Sequence, residues 1–287
     1  MKNIIVPIDF SEESLDGLRM AVLLANKFES RVQMVYVQSP SSELGRVGFA
    51  EEKRKAVQRF ESLKSEFGSM LHDADKLDYI VKKGKVYREV VNQGQAFTDS
   101  IIVSSTHGAS GFEEFFIGSN AFKIISAAEK PVITVRHGTT PREIKNIVLP
   151  IDSSTETRQK LPATVQIASA FGAEVHVLGV TSTTSQDIEN RIMAYSRQVC
   201  KYLADQNIKH SSKFIPDTNT VDSTISYAMG VSADLISIMT EQNDSLVDYV
   251  LGTSAQHMLN KSPIPVMSIT PKELFILGSF RTSGAPY

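Results

Sequence analysis

A single cysteine, Cys200, in 287 residues leaves no disulfide to be closed within the chain, and suits a reducing, cytoplasmic setting. Its expected place is a small core position on a helix. No apolar run reaches the roughly 18 to 20 residues a membrane-spanning helix needs, so no membrane partner is expected. In "MKNIIVPIDF", Pro7 and Asp9 cut the apolar run before a secretory segment could form. Neither sign of charge dominates: 30 basic against 32 acidic residues give a net charge of -2, which offers no footprint for nucleic acid. Several short signatures are also missing. There is no Walker-type Gly-Lys-Ser/Thr loop, no Ser-Gly-Gly-x-Asp-Ser loop, no His-x-Gly-His, no Gly-x-Gly-x-x-Gly after a strand, and no Cys/His cluster at zinc spacing. These absences argue against an adenylating enzyme, a dinucleotide dehydrogenase and a zinc module.

What is present is a long internal repeat. "KNIIVPIDFSEESLDGLRMAVLLANKFESRVQMVYV" (2 to 37) lies without a gap over "KNIVLPIDSSTETRQKLPATVQIASAFGAEVHVLGV" (145 to 180), an offset of 143 positions. Pro7/Pro150, Asp9/Asp152 and Ser11/Ser154 are among the identical pairs. The ends of the halves match at a slightly shorter offset, "DSIIVSS" (99 to 105) over "DLISIMT" (234 to 240) and Gly118-Ser119 over Gly252-Thr253. A period this long predicts a duplicated domain rather than a solenoid. With 41% hydrophobic residues the chain can fill two cores.

Each half alternates strand and helix. "NIIVPI" is a short apolar run of the kind found in strands covered on both faces. Leu15, Leu18, Val22 and Ala25 then recur at helical spacing, with Ser11 at the N-cap position. "RVQMVYV", "LDYIV", "SIIVSS" and "VITVR" give four further strands, and Phe49, Ala56, Phe60, Leu63 and Phe67 mark an amphipathic second helix. The expected fold class is therefore α/β, two doubly wound parallel-sheet domains with helices on both faces. The domains are placed at 1–138 and 144–270, joined by a linker at 137 to 143. A tail follows at 271–287, whose Leu274 to Leu277 could add an edge strand.

In such a sheet, ligands bind beyond the carboxyl ends of the strands. Pro7 and Asp9 close strand one, Val37 closes strand two, and residues 104 to 118 leave strand four. Gly108 and Gly111 let backbone approach a ligand closely, and Gly118-Ser119 opens a helix whose N–H groups suit phosphate. The same residues also read as an ordinary surface turn with Ser119 as an N-cap, and spacing alone leaves both readings standing. Asp9 can cap the following helix, which local physics favours, or accept hydrogen bonds from a ribose or an adenine amine. His107 reads as a turn residue rather than a general base. Lys82, Lys83 and Lys85 flank Gly84 after the third apolar run, where they could approach a nucleotide, although a solvated turn is the favoured reading.

With these residues in hand, the chain resembles the universal stress proteins as a tandem pair. The resemblance rests on "VPIDFS" and "LPIDSS", the strand-four to helix-four signature, and the closing "PVITV" and "PVMSI". It implies a Rossmann-like, adenine nucleotide alpha hydrolase-like fold with strand order 3-2-1-4-5 in each half. It also implies an internal pseudo-dimer through the fifth strands, with a homodimer as a further assembly. ATP-binding members carry Gly-x-x-Gly, nine residues, then Gly-Ser or Gly-Thr; this chain has Ser105-Thr106-His107-Gly108, nine residues, then Gly118-Ser119. The implied cofactor is ATP or another adenine nucleotide, with or without Mg. Pro7, Asp9 and Val37 would meet the nucleoside end, and Gly108, Gly118 and Ser119 the phosphates. Ser105 departs from the motif by placing a side chain where backbone would press on the nucleotide. In the second half Thr240-Glu241-Gln242-Asn243 loses both early glycines and only eight residues precede Gly252-Thr253, so that half is expected to be degenerate and structural. The implied role is in stress response, with at most slow ATP hydrolysis or self-phosphorylation. The competing reading is a nucleotide-free interaction scaffold of the same fold.

Overall fold

The computed structural model describes residues 1–39, 46–106, 117–240 and 251–271. In the first half, strands β1 (Asn3–Pro7), β2 (Arg31–Gln38), β3 (Leu77–Lys83), β4 (Ser100–Ser105) and β5 (Val132–Val135) alternate with helices α1 (Glu12–Phe28), α2 (Arg46–Gly68), α3 (Val86–Gln95) and α4 (Ser119–Ala127). In the second, β6 (Asn146–Ile151), β7 (Glu174–Thr181), β8 (His210–Pro216), β9 (Leu235–Met239) and β10 (Val266–Ile269) alternate with α5 (Leu161–Phe171), α6 (Gln186–Asp205), α7 (Thr220–Gly230) and α8 (Thr253–Lys261).

The ten strands form one sheet of order β3-β2-β1-β4-β5-β10-β9-β6-β7-β8. All neighbours within a half are parallel. The one antiparallel pair is β5 with β10, in the register Val266↔Thr134, Met267↔Ile133 and Ser268↔Val132. Every residue of β4, β5 and β10 is buried. Two apolar clusters follow from the alternation of side chains across the sheet. One face, with Leu18, Phe60, Ile167 and Val199, carries α1, α2, α5 and α6; the other, with Val90, Ile124, Ile225 and Leu259, carries α3, α4, α7 and α8. Phe28 of α1 meets Phe171 of α5 with ring centroids 6.4 Å apart, so the first face is continuous between halves.

Ser11 caps α1 as its sequence position suggests: its hydroxyl accepts the Ser14 N–H at 3.2 Å. The linker is tied down rather than extended. The Asp16 side chain, 4% exposed on α1, accepts the Gly138 N–H at 3.0 Å. Cys200 is half-buried against the first cluster, and burial raises its thiol pKa, as suits a packed residue. The tail segment Leu274 to Leu277 lies outside the described residues.

Candidate functional site

Strand ends build the first crevice. β1 and β4 are neighbours, and the helices that follow them, α1 and α4, lie on opposite faces. Chains leaving these two strands diverge, which opens a cleft at their carboxyl ends. A cavity of about 310 Å³ occupies it, and its walls include Pro7, Asp9, Val37, Ser105, Gly118 and Ser119. Six of the nine residues singled out from sequence thus share one cavity. The other three, His107, Gly108 and Gly111, lie outside the described residues.

The groups in the cleft have distinct surroundings. Asp9 is exposed, and its Oδ1 accepts the Ser11 N–H at 3.0 Å and the Ser11 hydroxyl at 2.5 Å. The helix cap falls to Ser11, so Asp9 stands at the rim of the cleft rather than in the cap. Ser105 is 8% exposed at the end of β4. The α1 backbone packs close by: a carbon added at Gly17 would lie 3.4 Å from the Ser105 nitrogen. Gly118 donates its N–H to the Thr106 carbonyl at 2.7 Å and is itself the N-cap of α4. Ser119 is therefore the first residue of the helix and not its cap. A glycine cap offers no side-chain oxygen to the first N–H groups of α4, and that end of the helix favours an anion.

Lys82 and Lys83 are the last residues of β3 rather than part of a turn after it, and both have other contacts. Lys82 Nζ lies 3.9 Å from Glu89, and Lys83 Nζ lies 3.7 Å from the Phe49 ring centroid.

Aromatic packing near the cleft escaped sequence reading. Phe10, between Asp9 and Ser11, has a φ of 66°, and its ring centroid lies 5.2 Å from Tyr36 and 4.9 Å from Phe60. The Arg59 guanidinium covers the same ring at 4.6 Å. Tyr36 donates its hydroxyl to Glu52 at 2.7 Å. Burial, then the Glu52 hydrogen bond, pushes the Tyr36 phenol up to about 12. The one sequence signal was an aromatic directly after the strand-one aspartate.

The second half carries a corresponding crevice with different contents. Asp152 repeats the Asp9 arrangement, accepting the Ser154 N–H at 2.8 Å and its hydroxyl at 2.5 Å. Under the same offset, Ser153 stands where the first half has Phe10, and Gly179 where it has Tyr36. Helix α5 begins only at Leu161, which lies over Leu18, whereas α1 already begins at Glu12. A smaller pair of side chains and a later helix start leave a cavity of about 690 Å³. Lys160, over Gly17 of the first half, lines it.

Comparison with known proteins agrees with this duplicated architecture. The family model described as the Universal stress protein family matches residues 1–136 and again 143–269. A universal stress protein of Methanocaldococcus jannaschii is 26% identical over 145 residues, covering 47% of this chain and 82% of the relative. One from Thermus aquaticus is 24% identical over 136 residues, covering 47% of this chain and 98% of the relative. Among solved structures, a universal stress protein from Archaeoglobus fulgidus superposes with a TM-score of 0.77 at 16% identity, covering 94% of this chain and 97% of its own. A putative universal stress protein from Pseudomonas aeruginosa gives 0.63 at 14% identity, with 96% and 95% covered. The chain belongs to the universal stress protein family, and it carries the family's domain twice.

Proposed function

We propose that this protein binds an adenine nucleotide, ATP foremost, in the crevice of its first half, and works in the cytoplasm as a nucleotide-responsive stress protein. The observation that carries the reading is the convergence of Pro7, Asp9, Val37, Ser105, Gly118 and Ser119 on one cavity between diverging strands. Asp9, at the rim, would accept hydrogen bonds from the nucleoside, with Pro7 and Val37 as its apolar floor. The glycine-capped start of α4 and the Ser119 hydroxyl would receive the phosphates, completed by His107, Gly108 and Gly111. Among the described residues Asp9 is the one carboxylate lining the cavity, which suits a magnesium ion held mainly through the phosphates rather than by a protein cage.

In this reading the domains run over 1–138 and 144–270, with a tail at 271–287. The second half does not take ATP in the same manner, because its sequence has Glu241 and Asp244 where phosphates would sit. Its part in nucleotide binding is architectural: the β5–β10 pairing makes an internal pseudo-dimer, onto which a homodimer could be built. Calorimetric titration of ATP into the intact protein tests the site. Saturation below millimolar nucleotide supports it, and none at millimolar nucleotide removes it.

A nucleotide-free scaffold is the second reading, favoured by the Ser105 side chain and by a cavity near the lower end of the roughly 300 to 1,000 Å³ range of small-molecule sites. Adenine nucleotide released from freshly purified, denatured protein would count against it.

A further inference from the structure

The second-half crevice contains a group that the ATP reading does not use. Lys160 is 2% exposed, yet it lines a cavity of about 690 Å³. Its ammonium has three donors, and the hydrogen bond it makes is to the Thr157 hydroxyl at 3.2 Å. Among the described residues no carboxylate forms an ion pair with it; Asp152 acts only at longer range. A buried cation without a paired anion is costly and persists where something repays the cost.

The surroundings indicate what repays it. Ser153 and the Ser254 hydroxyl at the start of α8 are further donors on the wall, and Ile188, Ile192 and Met258 give it an apolar side. Asp152 and Glu156 also line it and set a limit on charge, because a polyphosphate would meet both carboxylates. A single oxyanion on a small, partly apolar body meets all these features. Among the described residues of the first half no such cation lines the crevice, and Gly17 holds the matching position and allows α1 to pack on β4.

We propose that the second half is a binding site for a small metabolite carrying one oxyanion, a carboxylate or a phosphate monoester, which seats against the Lys160 ammonium. The two halves then sense different ligands: a nucleotide in the first and a smaller anion in the second. The inference stands whether or not the first half takes ATP.

The test is thermal unfolding of the full chain in inorganic phosphate, in acetate and in chloride at matched ionic strength, for wild type, Lys160→Met and Gly118→Asp. Binding to the folded state raises the midpoint by mass action. Wild type and Gly118→Asp should gain about 2–4 °C in phosphate or acetate over chloride, and Lys160→Met should gain nothing. A gain in phosphate alone assigns a phosphate ester, and in acetate alone a carboxylate. An equal gain in Lys160→Met, no gain in any protein, or a gain lost in Gly118→Asp but kept in Lys160→Met would each overturn the proposal. Since Met preserves the length of the apolar stem, the variant is expected to fold. Should it not, Lys160→Gly, which restores the residue found at the matching position of the first half, takes its place in the same comparison.

Discussion

His137 Nδ1 lies 2.7 Å from Asp16 Oδ2, across 121 positions of sequence. The other oxygen of the same carboxylate accepts from Arg19 at 2.7 Å. One buried side chain thus holds the start of the linker to the helix that follows β1. Replacing Asp16 by Ala leaves the Gly138 N–H and the imidazole without this acceptor, and the expected cost is about 1–3 kcal/mol. A double-mutant cycle with His137→Ala, read by denaturant unfolding, should show coupling; strictly additive effects would mean the contact contributes nothing.

Asn260 connects the halves beside the first crevice. Its Oδ1 accepts the Ile117 N–H at 2.8 Å, one residue before the Gly118 cap, and its carbonyl accepts from the Arg136 guanidinium. A residue of α8 thereby positions the start of α4. Asn260→Ala should weaken ATP binding by about tenfold, the loss of one hydrogen bond, with little change in the far-ultraviolet dichroism. Unchanged affinity would separate the second half from the site.

Lys160 also makes a pH prediction. Burial drives its pKa down from 10.5 to about 8, with Asp152 opposing. Below pH 8 the amine is charged in both states and its burial destabilises the fold. Between 8 and 10.5 the unfolded chain holds the extra proton, so stability rises with pH. In phosphate-free buffer, Lys160→Met should therefore be more stable than wild type at pH 7, by something on the order of 3 kcal/mol, and the gap should close by pH 10.5. Taking the difference between the proteins removes Tyr36, which stays protonated up to about 12 and lowers stability above pH 10 in both. A gap independent of pH would contradict the assignment.

Phe10 occupies the left-handed backbone region at a φ of 66°. Glycine adopts it freely, whereas alanine there costs about 1 kcal/mol. Both Phe10→Gly and Phe10→Ala lose the contacts with Tyr36, Phe60 and Arg59. Their order should be inverted from the usual one, with the glycine variant more stable by about 1 kcal/mol in urea unfolding. An alanine variant at least as stable would show that the backbone relaxes.

The period of 143 and the alternation of apolar runs with helical spacing made the α/β architecture legible, because strand, crossover and burial all leave a local pattern. The first crevice was partly legible, since Pro7, Asp9, Gly118 and Ser119 all fall at element ends. Lys160 was not. A lysine at the start of a helix reads as solvated, and only its alignment with Gly17, together with the delayed start of α5, reveals that it points inward. Asp16 escaped for the same reason: nothing local to "SLDGLRM" says that the linker returns to cover it.

The most direct test of the central claim is the stoichiometry of ATP binding by calorimetry on wild type, Gly118→Asp and Gly252→Asp. The account predicts about one ATP per chain in wild type, none in Gly118→Asp, where a carboxylate enters the helix start proposed to receive the phosphates, and about one in Gly252→Asp. Two per chain, retention in Gly118→Asp, or loss only in Gly252→Asp would contradict it.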